Sequence, residues 1–207
     1  KSVGTVFQFP EAQLFGQTIA EDIMFGPQNY GVNEKEALEI AKEVLQVVGL
    51  DESFLDVSPF DLSGGQQRRV AIAGVLALKP EVLVLDEPTA GLDPKGQKEM
   101  MNLFDRLNKE KNMTIILVTH RMEHVAEYAD DVIIMKDGVV VQQDHPREIF
   151  KNTDLLQLNY LDVPNTISFA NGIKKKFGWK LEKMPLTTDE LATSLKKYFF
   201  ETKGENE

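Results

Sequence analysis

Residues Val82–Leu85, in the stretch "EVLVLDEP", are continuously apolar and run straight into Asp86 and Glu87. So short an apolar run reads as a strand buried on both faces, the habit of a parallel sheet covered by helices. Such a strand delivers its two carboxylates to its C-terminal end, the edge of an α/β sheet where ligands bind. Helical patterns flank it. Upstream, Ser63 can cap a helix through Leu78, rich in Ala71, Ala73, Gly74 and Ala77 and ended by Lys79-Pro80. Downstream, Asp93-Pro94 supplies an N-cap and a proline at the first helical position, with Met100, Leu103, Phe104 and Leu107 lining one face. Thr114–Thr119 then repeats the buried-strand pattern and ends at His120. Helices alternating with apolar strands imply an α/β fold with a parallel sheet.

The remainder fits this frame. Val3–Phe7 is a β-rich run ending at Gln8, where Phe9-Pro10 turns it into a loop. From Asn33, an N-cap with Glu36 three residues on, Leu38, Ala41, Leu45 and Val48 recur at helical spacing, and Gly49 stops the helix. A short helix over Met122–Ala129 leads into Val132–Met135, which Asp137-Gly138 turns back into Val139–Gln142. Beyond Phe150 the pattern loosens into short helical pieces broken at Pro164 and Pro185, and Thr187 with Glu190 introduces a last helix. The expected organisation is a core over residues 1–153, with a helical subdomain at about 9–78 nested in it, and a small C-terminal subdomain over 154–207.

Bulk properties narrow the function classes. The 207 residues, 42% hydrophobic and 27% charged, can bury a core. No apolar run approaches the roughly 18 residues of a spanning helix. Lys1-Ser2-Val3-Gly4 lacks the apolar segment of a secretory signal, so the chain is expected to be neither exported nor embedded by itself. Zero cysteines exclude disulfides and thiolate metal sites, and the net charge of -10 argues against a broad nucleic-acid footprint.

An isolated Asp-Glu pair is usually an acidic loop, and a bare Ser-Gly-Gly a simple helix cap. Their order here is far more specific. "LSGGQ", Leu62–Gln66, puts Ser63, Gly64, Gly65 and Gln66 at a helix start, where free N–H groups and the dipole favour an anion such as phosphate. One helix later come Asp86, suited to magnesium, and Glu87, able to accept a proton from an attacking water. His120 and Gln8, each ending a neighbouring strand, can donate to a terminal phosphate or reach a metal or water. His124 and His145 read as structural, Lys174–Lys176 as a solvated face and Trp179 as core.

The set Gln8, "LSGGQ", "VLVLDEP", "AGLD" ending in Asp93, and His120 closely resembles the ATP-binding subunits of ABC transporters. More narrowly, "VFQFPEAQLF", "DIMFGPQN" and "RRVAIAGVLA" resemble energy-coupling factor vitamin importers, most of all the second of their two ATPase types, often called A-prime. The resemblance implies a P-loop NTPase-like fold with an inserted helical subdomain, ATP and Mg2+ as ligands, and ATP hydrolysis by head-to-tail pairs. It implies that Ser63, Gly64, Gly65 and Gln66 serve a partner's ATP, that Asp86 with Gln8 holds magnesium, and that Glu87 polarises water. Gln8 and His120 would sense the γ-phosphate, and Asp93 would lie at the subunit seam. The family's phosphate loop, G-x-x-x-x-G-K-[ST], is absent from this sequence, and Lys1-Ser2 is no remnant of it, because that lysine should open a helix rather than a strand. A fragment missing its N-terminal strands, inactive alone, is therefore expected.

The implied partners are a second ABC ATPase subunit, a transmembrane coupling protein docked near Gln8–Phe25, and a substrate-binding membrane protein, placing the chain peripherally on the cytoplasmic face. Glu11, Glu21 and Asp22 suggest a basic helix as the docked element. Two other readings compete: a non-catalytic partner that lends its signature to another ATPase, and a soluble ABC ATPase of the DNA-repair type. The latter needs a long heptad coiled coil between Gln8 and Ser63, which the sequence does not contain.

Overall fold

The computed structural model describes residues 2–179 and 182–204; Lys1 lies outside them. The chain forms two compact units, Lys1–Val118 and Thr119–Glu207.

In the first unit, β1 (Val3–Val6), β2 (Val82–Asp86) and β3 (Thr114–Val118) form a parallel sheet in that order. Val6 pairs with Leu85, Leu85 with Leu117, and Asp86 with Val118, so the three strands end together. Around the sheet lie α1 (Ile19–Asn29), α2 (Glu34–Val47), α3 (Gly64–Leu76) and α4 (Pro94–Lys111). α1, α2 and α3 pack on one another, forming the nested helical layer, and Ile19, Ile23, Ala41, Leu45 and Ile72 are fully buried. The α3 side chains lie so close to β1 that a Cβ on Gly4 would meet Val75 Cγ1 at 2.6 Å, which is why glycine stands there.

Several local readings hold. Asn33 caps α2 by accepting from the Glu36 N–H at 3.0 Å, and Gly49 follows in the left-handed region at φ 79°. Asp93 caps α4, whose Met100, Leu103, Phe104 and Leu107 are buried. α1 went unread because Gly26 and Pro27 look like helix breakers. Pro27 falls in the last turn of α1, and Ile19, Ile23, Met24 and Pro27 still make a buried stripe.

The strands correct the sequence reading. β1 stops at Val6, before Gln8. In β2 only Leu83 and Leu85 are fully buried, while in β3 Ile116 is 48% and Val118 51% exposed. Both strands were expected to be buried on two faces. The cause is positional: among the described residues β3 is the edge of its sheet, and the face carrying Val3, Ile116 and Val118 is uncovered.

The second unit holds α5 (Met122–Tyr128), the antiparallel pair β4 (Val132–Lys136) and β5 (Val139–Asp144), then α6 (Pro146–Lys151), α7 (Thr153–Leu158), α8 (Asn165–Phe177) and α9 (Thr188–Gly204). Asp137 and Gly138 both have positive φ, 51° and 79°, as a tight hairpin turn requires. The division falls at Val118/Thr119 rather than at 153/154. Met122, Val125 and Ile134 share one apolar cluster with Phe150, Leu156, Ile167 and Leu186, which binds helix α5 and the hairpin to the tail. Trp179 is buried with Ala170 and Leu191, and Lys174, Lys175 and Lys176 are exposed in the last turn of α8. His145 caps α6, its Nδ1 accepting from the Arg147 N–H at 3.2 Å.

Candidate functional site

Asp86 is the last residue of the central strand and Glu87 follows it, both half-buried. The Glu87 N–H donates to the Val118 carbonyl at 2.9 Å, so the residue remains tied to β3 while its φ of 45° turns the chain sharply away. A left-handed conformation at a non-glycine residue costs energy and is common where function fixes a side chain's direction. Gln8 is exposed two residues beyond β1, and Phe9, at φ 56°, redirects the chain into the turn Pro10–Gln13. Phe9 also lies close to the segment after Glu87, since a Cβ built on Gly91 would be 3.7 Å from its ring. The structure thus brings the Gln8 loop and the carboxylates to one end of the sheet.

Ser63 and Gln66 form a reciprocal capping box at the start of α3. The Gln66 N–H donates to Ser63 Oγ at 3.4 Å and the Ser63 N–H to Gln66 Oε1 at 3.0 Å. A Cβ added at Gly64 or Gly65 would meet nothing within 4 Å, and neither has a positive φ. The chain's own fold therefore does not demand glycine at either place. A bare backbone at an open helix start leaves room for an anion to approach its N–H groups.

Asp93 Oδ1 accepts from the Gly96 N–H at 2.8 Å, a capping role within its own helix. His120 is exposed two residues after β3 and belongs to the second unit.

Sequence reading missed Arg68. It is only 3% exposed, and its guanidinium donates to Glu11 from Nε (3.0 Å) and Nη2 (2.7 Å) and to the carbonyls of Pro88 (3.2 Å) and Ala90 (2.6 Å) from Nη1. The signal was in the spacing: Arg68, Ile72 and Leu76 share one buried helical face, and a charge there requires a counter-charge. Burial pushes the Glu11 carboxyl up, but the Arg68 hydrogen bond, its own backbone N–H and the Arg68 charge outweigh it and hold the group below its usual range.

The acids of the segment expected to dock all have partners within the chain. Glu11 is neutralised by Arg68. Asp22 accepts from the Phe15 N–H at 3.0 Å and Glu21 from the Gln17 N–H at 2.8 Å, so these acids brace the loop before α1. This region also presents apolar surface: Phe15 and Phe25, 61% and 50% exposed, stack edge to face at 4.8 Å beside a groove of about 600 Å³ lined by Met24 and Leu38 together with Glu21 and Glu34.

A family profile described as "ABC transporter" matches residues 1–90. The energy-coupling factor transporter ATP-binding protein EcfA2 of Enterococcus faecalis is 59% identical over 197 residues, covering 95% of this chain and 68% of that protein. The chain belongs to the ABC transporter ATP-binding subunits of energy-coupling factor type. Among solved structures, cbiO1 from Clostridium perfringens, part of the ABC transporter complex cbiONQ, matches with TM-score 0.66 and 43% identity, over 76% of this chain and 62% of that one. The ATP-binding cassette MJ0796, solved as a dimer in a post-hydrolysis state bound to ADP and Pi, matches with TM-score 0.60 and 34% identity, over 71% of this chain and 64% of that one. The chain thus spans about two thirds of the length of the relatives it matches. The family is one of ATP-hydrolysing enzymes, and the ABC ATPase fold expected from the sequence is the fold observed.

Proposed function

We propose that this chain, within its full-length protein, binds and hydrolyses ATP to energise a membrane importer of vitamins or other micronutrients, paired head to tail with a second ATPase subunit. The observation that carries the reading is the pair Asp86–Glu87 at the tip of the central strand, with Glu87 held at φ 45°. Glu87 takes the proton of the attacking water, while Gln8 and His120 contact the γ-phosphate. Ser63, Gly64, Gly65 and Gln66 serve the partner's ATP, Gly64 and Gly65 through backbone N–H groups outside the Ser63–Gln66 capping box, and Asp93 lies at the seam.

The oxygen donors of Asp86 and Gln8 fit magnesium. Magnesium is commonly bound by one or two protein oxygens, with nucleotide phosphates supplying other ligands. When bound, it neutralises charge on the phosphates.

Among the described residues no helix is long and apolar enough to cross a membrane. Attachment at the cytoplasmic face is therefore assigned to the groove beside Phe15 and Phe25, which takes an apolar element of the transmembrane coupling protein; a separate membrane protein binds the substrate. The test is Glu87→Gln in the full-length protein assembled with its ATPase partner. Turnover falls roughly 100-fold or more, the scale of losing a general base, and unchanged turnover removes Glu87 from this role.

A further inference from the structure

Arg68 is buried in α3 with no carboxylate within one turn on its own helix, so its counter-charge comes from 57 residues away in sequence. Burying an arginine costs several kcal/mol unless every donor is well used. Here one planar fork is shared between two loops. One edge holds Glu11, three residues after Gln8, in a bidentate pair, and the remaining nitrogen holds the carbonyls of Pro88 and Ala90, directly after Glu87. The Phe9 ring lies 5.8 Å from the guanidinium carbon, closing the site over it. Within its own surroundings the segment after Glu87 is held by the turn bonds Ala90 N–H to Glu87 O (3.0 Å) and Leu92 N–H to Thr89 O (3.3 Å) and by Gln97 Nε2 donating to the Leu92 carbonyl (2.7 Å); Arg68 is what ties it to the Gln8 loop.

Resting on the ATPase reading above, we infer that Arg68 is a positioning residue that locks the Gln8 loop to the Glu87 segment, so that the phosphate-sensing amide and the general base move together. Lysine cannot replace it, because a point-like ammonium lacks the fixed fork needed to hold a carboxylate bidentately and two carbonyls at once. A helix filler that needed only volume would be leucine or methionine.

The test compares Glu11→Gln and Arg68→Lys with Glu99→Gln in the full-length protein assembled with its ATPase partner. Glu99→Gln, on α4, breaks the rim pair with Arg69 (2.9 Å), the neighbour of Arg68 on α3, and serves as the structural control. Glu11→Gln and Arg68→Lys lower kcat roughly ten- to hundred-fold, the cost of misplacing a reacting group, with KM for ATP within about twofold. Glu99→Gln leaves kcat unchanged. In parallel, hydrogen exchange on the chain itself shows Glu11→Gln accelerating the amides of Ala90 and Leu92 while α2 and α4 exchange as before. Wild-type kcat in both variants, a loss confined to KM, or acceleration spread evenly over the unit overturns the proposal. Should the wild-type assembly show no turnover, the ATPase reading fails, and local acceleration at 88–92 or its absence then decides for or against Arg68.

Discussion

Glu87 donates its backbone N–H to the Val118 carbonyl at 2.9 Å while its φ stands at 45°. The strand ladder is thus kept to the residue at which the backbone turns left-handed. Glycine adopts that conformation freely, whereas a residue with a Cβ pays about 1 kcal/mol or more. Glu87→Gly is therefore expected to be more stable than Glu87→Ala by about 1 kcal/mol in chemical denaturation, though both lose hydrolysis. Equal stabilities would mean that the turn carries no strain.

The signature glycines invite the opposite comparison. Because a Cβ at Gly65 meets nothing within 4 Å, Gly65→Ala is expected to raise stability by about 0.5 kcal/mol through helix propensity. The added methyl group nevertheless occupies the space an anion needs, so turnover by the assembled pair falls. Thermal melting and ATP hydrolysis on the same variant separate the two effects; a variant both more stable and fully active would remove Gly65 from the nucleotide interface.

What could be read in the sequence was what is local. Capping signals place α2 to within a residue and the start of α4 at Asp93-Pro94, and Asp137-Gly138 identifies the hairpin, because each depends only on close neighbours in the chain. Asp86, Glu87 and "LSGGQ" were legible as ordered motifs. The Arg68–Glu11 pair was not, since nothing local to Glu11 says which buried cation it meets across the chain. Neither was the exposed face of β3: the apolar run "TIILV" describes a strand able to be buried on both faces, and neighbours decide whether it is.

The docking proposed above for the membrane component places the contact on Phe15 and Phe25, while Glu11, Glu21 and Asp22 accept hydrogen bonds within the chain. Phe15→Ser with Phe25→Ser is expected to abolish co-purification with the transmembrane protein while hydrolysis by the detergent-free ATPase pair persists. Charge reversal at Glu21 should leave assembly intact. Retained co-purification in the double variant would move the docking surface elsewhere.

Acid sensitivity of the second unit centres on Glu190. Its carboxyl is lowered from 4.5 to about 2, first by hydrogen bonds from Arg147, against an opposing effect of burial, and further by the Leu186 N–H and the charges of Arg147 and Lys183. Arg147 also donates to the Met184 carbonyl, so it fastens α6 both to the first turn of α9 and to the segment before it. A group whose pKa is depressed on folding binds fewer protons when folded, so its stabilisation is complete above about pH 4.5 and is lost as pH falls towards 2. The Glu190 side chain is 39% exposed, so solvent screening limits the ion pair to about 1 kcal/mol. Glu190→Gln is accordingly expected to destabilise the protein at pH 7, and the gap to wild type to narrow steadily below pH 4.5. Denaturant titrations of both proteins at pH 7, 5, 4 and 3 check this, and a gap that stays constant down to pH 3 would show that the carboxylate's charge contributes nothing.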